Sequence, residues 1–183
     1  VNGGTINTAD RDNKKNLIAK LEIKPVPNFK LSASGQLGYC TAVTNSLYNT
    51  SVVEGQTYKQ NRYAAGFEWK SKATGNDYHK NRCVTLRSEI LGGKDGDCNS
   101  FGIYAATSIP VYKGLDIVAM ADYMNYNTDN GLKKTNLMAG LQYWIFKKCR
   151  LQAQYTYSLR SDAMKAIQGD NQSIIQTQIQ VAF

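Results

Sequence analysis

The sequence is poor in the residue types on which catalytic and metal sites most often depend. It contains 1 His among 183 residues, and its 4 Cys are far apart, with no CxxC pair. The missing CxxC spacing argues against a zinc site. His79 has no visible acid–base partners in the sequence, which argues against catalysis. We therefore predict neither an enzyme nor a bound metal or cofactor.

Long hydrophobic runs and high charge density are also missing. No stretch of about 18 consecutive apolar residues occurs, which excludes a transmembrane helix. Charged residues make up 20% and hydrophobic residues 42% of the chain, which argues against disorder. The net charge is +8, but no basic patch is interleaved with aromatic residues, so nucleic acid is not a predicted partner.

What the sequence does contain is alternation of apolar and polar residues with a period of two, together with 12 Tyr and 15 Gly. In residues 173–183 (SIIQTQIQVAF), one face is largely apolar and the other carries three Gln. Eight further segments between residues 15 and 160 alternate in the same way. We predict an all-β fold of nine antiparallel strands in up-and-down order, in one region spanning residues 15–183. We expect residues 1–14 to form a loop or an entry segment before it.

The predicted links between strands differ in length. Residues 24–28, 112–114 and 147–150 form short links, whereas residues 41–56, 92–99, 127–134 and 161–172 form longer polar ones. One link, residues 71–81, is longer than its position in this alternation predicts. Alternating short turns and long loops are typical of a transmembrane β-barrel, with the long loops outside the cell.

Alternation alone leaves open whether the apolar face meets a protein core or lipid. A soluble β-sandwich buries it, whereas a membrane barrel turns it outward around a polar lumen. Most predicted strands reach the 9–11 residues or so that cross a bilayer at a tilt. Tyr and Trp also lie near the ends of the apolar faces, as an interfacial aromatic belt requires. These features favour the antiparallel transmembrane β-barrel. An odd number of strands cannot close a regular bacterial barrel, so we expect these strands to be the C-terminal part of a larger one.

Three segments carry a family likeness: residues 84–96 (VTLRSEILGGKDG), 140–162 (GLQYWIFKKCRLQAQYTYSLRSD) and 174–183 (IIQTQIQVAF). They resemble the C-terminal half of the phosphate-selective porin O/P family, with Bacteroidetes-type members the most similar. The resemblance spans residues 15–183 and implies a Gram-negative outer-membrane barrel with about twice as many strands. It also implies an assembly signal in Ile179, Val181 and Phe183, bound by the barrel-assembly machinery. The family's anion-selecting residues have no matching positions here, so phosphate selectivity is not carried over.

The charged residues on the predicted polar face are the candidates for the lining of a pore. They are Lys20, Lys24, Lys30, Arg62, Lys70, Arg87, Glu89, Asp122 and Arg160. Glu22, Glu68 and Asp116 lie on the same predicted face, so seven positive charges stand against five negative ones. We therefore expect structural pairs across neighbouring strands, such as Arg87 with Glu68 and Glu22 with Lys30. Ion selection by the same residues is the second interpretation.

Two smaller features are interpreted conservatively. Asp95 and Asp97 alternate in a Gly-rich segment that could contribute oxygen ligands to calcium, but the remaining ligand spacing is missing and a turn is favoured. The spacing of Cys40, Cys83, Cys98 and Cys149 does not define a disulfide pairing, and free thiols are the simpler expectation.

The predicted function is a passive porin for small hydrophilic, in particular anionic, solutes in the bacterial outer membrane. Its predicted partners are outer-membrane lipid, the solutes and the assembly machinery, with a homo-oligomer or larger complex as a further option. A non-conducting barrel that serves as a structural or docking subunit is the alternative. A soluble β-sandwich that binds a ligand is the third hypothesis.

Overall fold

A computed structural model describes residues 14–71, 82–146 and 148–181. It contains nine strands and one short helix in chain order. They are β1 (Leu17–Val26), β2 (Phe29–Thr41), β3 (Thr57–Lys70), β4 (Thr85–Asp95), β5 (Cys98–Tyr112), β6 (Leu115–Asn125), β7 (Lys133–Phe146), β8 (Cys149–Arg160), α1 (Asp162–Gln168) and β9 (Gln172–Val181). The predicted number of strands is confirmed. No helix in the described ranges is long and apolar enough to cross a membrane.

All nine strands form a single antiparallel sheet in the order of the sequence, from β1 to β9. Each strand pairs with its sequence neighbours, which is the predicted up-and-down arrangement. Among the described residues, the outer edges of β1 and β9 pair with no further strand. The sheet is therefore an open wall with two free edges.

The register divides the sheet into two faces of opposite character. The polar face carries most of the charged and amide side chains, including Glu22, Lys30, Arg62, Glu68, Arg87, Asp116, Asp122, Gln142, Gln152, Gln154, Gln176 and Gln178. The apolar face carries residues such as Leu31, Phe67, Ile90, Ile103, Ile117, Leu141, Leu151 and Ile179.

Exposure is inverted relative to a soluble β protein. Leu141 on the apolar face is 52% exposed, whereas its neighbour Gln142 on the polar face is 6% exposed. Ile179 is 70% exposed, and Ser158 on the polar face is 3% exposed. No second layer covers the apolar face within the described part of the chain. The soluble sandwich, which needs such a layer, is therefore wrong.

The prediction of a long loop over residues 92–99 is wrong. Gly92 and Gly93 favour a long polar link over residues 92–99, but β4 continues to Asp95 and β5 begins at Cys98. The link is a turn of two residues in which Gly96 has a φ of 62°. A side chain at Gly92 would lie 2.5 Å from the ring of Tyr63, so this glycine makes room for an aromatic ring on the neighbouring strand.

The link between β8 and β9 contains the helix α1, which the alternation did not predict. Ser161 caps its N-terminus, accepting a hydrogen bond from the Met164 amide at 3.3 Å. Met164 is fully buried where α1 packs against the ends of β7 and β8. The cap and this single anchor hold the link against the sheet.

Candidate functional site

The polar face of β1–β4 is lined by paired charges. The carboxylate of Glu22 lies 3.1 Å from Lys20 and 3.5 Å from Lys30. Glu68 lies 2.9 Å from Lys70 and 2.7 Å from Arg87. The two predicted pairs, Arg87 with Glu68 and Glu22 with Lys30, are thereby confirmed. Each acidic group is shared by two basic ones, which leaves this part of the wall with a small positive excess.

The remaining predicted pore-lining residues occupy more varied positions. Arg62 donates to Asp95 at 2.9 Å, and Asp122 accepts from Asn136 at 2.9 Å. Glu89 lies opposite Tyr104 on β5. Lys24 lies in the irregular stretch between Ile23 and Val26, where the register of β1 with β2 shifts.

Arg160 lies on the polar face, and its guanidinium also contacts the link between β8 and β9. It shares the polar face with Lys134, and its guanidinium donates to the carbonyls of Gln168 at 2.9 Å and Gly169 at 3.1 Å. These are carbonyls at the C-terminal end of α1, where a cation is favourable. The structure therefore assigns Arg160 to holding the β8–β9 link.

The polar face of β7–β9 is lined by amides rather than carboxylates. The side chain of Gln152 donates to Gln154 at 2.7 Å, and Gln154 donates to Gln176 at 2.9 Å. Arg150 donates to Gln142 and Gln180, both at 2.8 Å. This side of the wall is hydrogen-bonded across strands.

The β2–β3 link, residues 42–56, folds across the polar face instead of standing away from the sheet. We call it the mouth loop. The buried Asn49 side chain donates to the Asp95 carbonyl at 2.6 Å, where β4 ends. The carbonyl of Tyr48 accepts from Asn127 at 3.1 Å, beyond the end of β6. The amide of Gln168 in α1 donates to the Tyr48 hydroxyl. The mouth loop therefore reaches from β2 and β3 to the link between β8 and β9.

An aromatic pair fixes the far end of the mouth loop. The rings of Tyr48 and Tyr126 stack with centroids 4.8 Å apart and an interplanar angle of 29°. Burial, together with nearby Tyr48 and Asp122, raises the pKa of Tyr126 above its usual value. A cavity of about 520 Å³ lies between the mouth loop and the wall, and Arg62, Gly93 and Met124 contribute to its lining. The loop narrows the space over the polar face without filling it.

A buried hydrogen-bond network around Asp116 lies at the opposite end of the sheet. The Asp116 side chain is 5% exposed, and it accepts hydrogen bonds from Arg82 Nε at 3.0 Å, Gln142 at 3.1 Å and Trp144 Nε1 at 2.9 Å. Arg82 belongs to the long β3–β4 link and also donates to the carbonyl of Leu115. The network thus holds that link against the β5–β6 turn.

Sequence reasoning missed the residues that organise both ends. Tyr48, Asn49 and Asn127 stand in polar loops with no periodic signal, and Asn127 bonds a residue 79 positions away in the sequence. Arg82 and Trp144 were not singled out either. The length of the 41–56 link was the only signal that could have drawn attention to the mouth loop.

The predicted assembly signal and the predicted 71–81 link lie partly outside the described residues. In the predicted assembly signal, Ile179 and Val181 lie on the apolar face of β9, opposite Leu151 and Cys149, whereas Phe183 lies outside the described residues. His79 and residues 72–81 of the predicted 71–81 link also lie outside them. All four cysteines are free thiols, as expected.

Comparisons with known proteins bear on the fold. No family model matches the chain, and no curated protein matches it. Among solved structures, the chain is similar to OmpT, an outer membrane protein of Vibrio cholerae folded in vitro and described in a trimer form. The TM-score is 0.58 at 12% sequence identity, over 92% of this chain and 52% of that chain. The chain therefore has the fold of an antiparallel outer-membrane β-barrel and spans about half the length of this neighbour.

Proposed function

We propose that the chain forms part of the wall of an outer-membrane porin that passes small hydrophilic solutes by diffusion. The observation that carries the proposal is the mouth loop, which crosses the polar face of a sheet whose apolar face is exposed. A polar wall replaces part of a solute's hydration shell, and the narrowest point sets the size limit. The mouth loop is this narrowest point, and Arg62 and Asp95 lie beside it.

The free edges of the sheet support a larger barrel. In hydrocarbon, an unpaired strand edge leaves amide and carbonyl groups without partners, at a cost of several kcal/mol or so for each group. We therefore propose that further strands pair with β1 and β9 and close the barrel. The resemblance to the phosphate-selective porin O/P family supports the same arrangement. The shared charges of β1–β4 favour a weak preference for anions.

The tethers of the mouth loop can be tested by conductance. In the double variant Tyr48→Ala/Asn49→Ala, the stacking on Tyr126 and the bond to Asp95 are lost. The loop should leave the lumen, and the single-channel conductance in planar bilayers should rise about twofold or more. Leu47→Ala is the matched control, because Leu47 lies on the same loop and is 73% exposed.

Two outcomes would count against these proposals. Channels of unchanged conductance in the double variant would contradict the assignment of the mouth loop as the constriction. Absence of channels from the wild-type protein reconstituted together with the strands that close its barrel would contradict the porin itself.

A specific observation favours the alternative, a non-conducting barrel that docks to other proteins. The mouth loop exposes three apolar side chains, Val43, Leu47 and Val53, which are 42%, 73% and 40% exposed. Exposed apolar side chains on a loop are a feature of protein contacts. Reconstituted protein without channels would favour this function.

A further inference from the structure

The basic residues of the apolar face lie at one end only. Among the paired strand positions of this face, the basic side chains are Lys59, Lys94 and Lys133. All three lie at the end of the sheet that carries the mouth loop, and no Asp or Glu occupies a paired position on this face within the described strands. The carboxylates of the strands all belong to the polar face.

Two of these lysines are diagonal neighbours on β3 and β4, and a third lysine lies over the residue opposite one of them. Lys59 lies directly opposite Tyr39, and the ammonium of Lys14 lies 3.8 Å from the centroid of the Tyr39 ring. Lys94 lies opposite Asn61, which places it diagonally across from Lys59. Side chains in diagonal positions remain within reach of one another. We call Lys14, Tyr39, Lys59 and Lys94 the rim patch.

Lys59 and Lys94 of the rim patch differ from the lysines of the polar face in their charged neighbours. Lys20, Lys30 and Lys70 each lie within 3.5 Å of a carboxylate on the polar face. Lys59 and Lys94 are exposed, and neither forms an ion pair with any described residue.

Apolar side chains border the patch on the side of the sheet's centre. Leu37 is 56% exposed and Tyr63 is 62% exposed. In the proposed outer-membrane barrel, the cations therefore stand at the boundary between the lipid-facing surface and the polar zone of the membrane. Basic side chains in this position are attracted to anionic headgroups.

We propose that the rim patch binds the phosphate groups of a phosphorylated glycolipid in the outer leaflet. This rests on the proposed function and on the expectation that the long loops, the mouth loop among them, lie outside the cell. A headgroup with two phosphates on one sugar scaffold presents anions to several lysines at once, whereas a phospholipid presents one phosphate. Tyr39 supplies an aromatic surface between the cations, and the acyl chains lie along the apolar face below.

The test measures lipid binding by the full chain, purified in dodecyl maltoside. Diphosphoryl lipid A is titrated and counted by native mass spectrometry, with phosphatidylglycerol as the comparison lipid. A basic residue near an anionic surface contributes roughly fivefold to binding, so Lys14→Gln/Lys59→Gln/Lys94→Gln should bind lipid A on the order of 100-fold more weakly. Lys113→Gln is the matched control, because Lys113 is exposed and lies over the Tyr112 ring in a turn at the other end.

Three results would overturn the inference. These are equal binding of lipid A by the triple variant and the wild type, an equal loss in Lys113→Gln, and binding of phosphatidylglycerol as tight as that of lipid A. Conductance in bilayers free of glycolipid separates this inference from the proposed function. Channels without lipid A binding would contradict the rim patch alone. Lipid A binding without channels would contradict the porin alone.

Discussion

Replacing Asp116 by Ala is expected to lower the free energy of unfolding by about 3–5 kcal/mol, because it removes the carboxylate that forms the ion pair with the largely buried Arg82 guanidinium. The Arg82 side chain is 14% exposed and has little access to water. Gln142 and Trp144 lose their acceptor in the same step.

The measurement for Asp116→Ala is reversible unfolding in urea, with the protein folded into lipid vesicles. Asp122→Ala is the matched control, since Asp122 also lies on β6 and the polar face but accepts one side-chain hydrogen bond, from Asn136. Its expected cost is about 1 kcal/mol. Equal stability of the two variants would show that the network around Asp116 does not hold the β3–β4 link.

Replacing Leu141 by Arg is expected to cost about 2–4 kcal/mol if its face meets lipid near the bilayer midplane. Leu141 lies near the middle of β7 on the apolar face, where nothing in the described structure covers it. Ile179→Arg should be costly for the same reason, but less so because Ile179 lies closer to the end of its strand. In a bilayer, the cost of a charged side chain depends on its depth. On a water-exposed surface, the cost has no such dependence.

The control for these two substitutions is Gln178→Arg, next to Ile179 but on the polar face. It should change the unfolding free energy by less than about 1 kcal/mol, since a lumen accommodates charge. The comparison is made by unfolding the three variants from vesicles of one lipid composition. Equal tolerance on both faces would contradict the assignment of inside and outside.

The sequence predicted the parts of the fold that depend on local alternation. A period of two assigns each side chain to a face, and a shift of one residue would reverse every assignment. The alternation also predicted the pair between Arg87 and Glu68, because neighbouring antiparallel strands bring residues of the same face together.

The missed features depend on contacts that the alternation does not encode. The helix α1 has seven residues, too few to show a helical period, and depends on Ser161 and the buried Met164. Gly92 and Gly93 have the composition of a loop, and the sequence does not reveal that the Tyr63 ring lies over Gly92. The course of the mouth loop is decided by hydrogen bonds to Asp95 and to Asn127, each far from it in the sequence.

The most direct test of the central claim, that the apolar face meets lipid and the polar face lines a lumen, is a nitroxide scan of residues 152–157 in β8. The four native cysteines are first replaced by serine, and each labelled protein is reconstituted in vesicles. At Ala153, Tyr155 and Tyr157, collisions with oxygen, which partitions into lipid, should dominate. At Gln152, Gln154 and Thr156, collisions with a water-soluble nickel chelate should dominate. The two profiles should alternate with a period of two and in opposite phase. Profiles that rise and fall together, or the reverse assignment, would contradict the account.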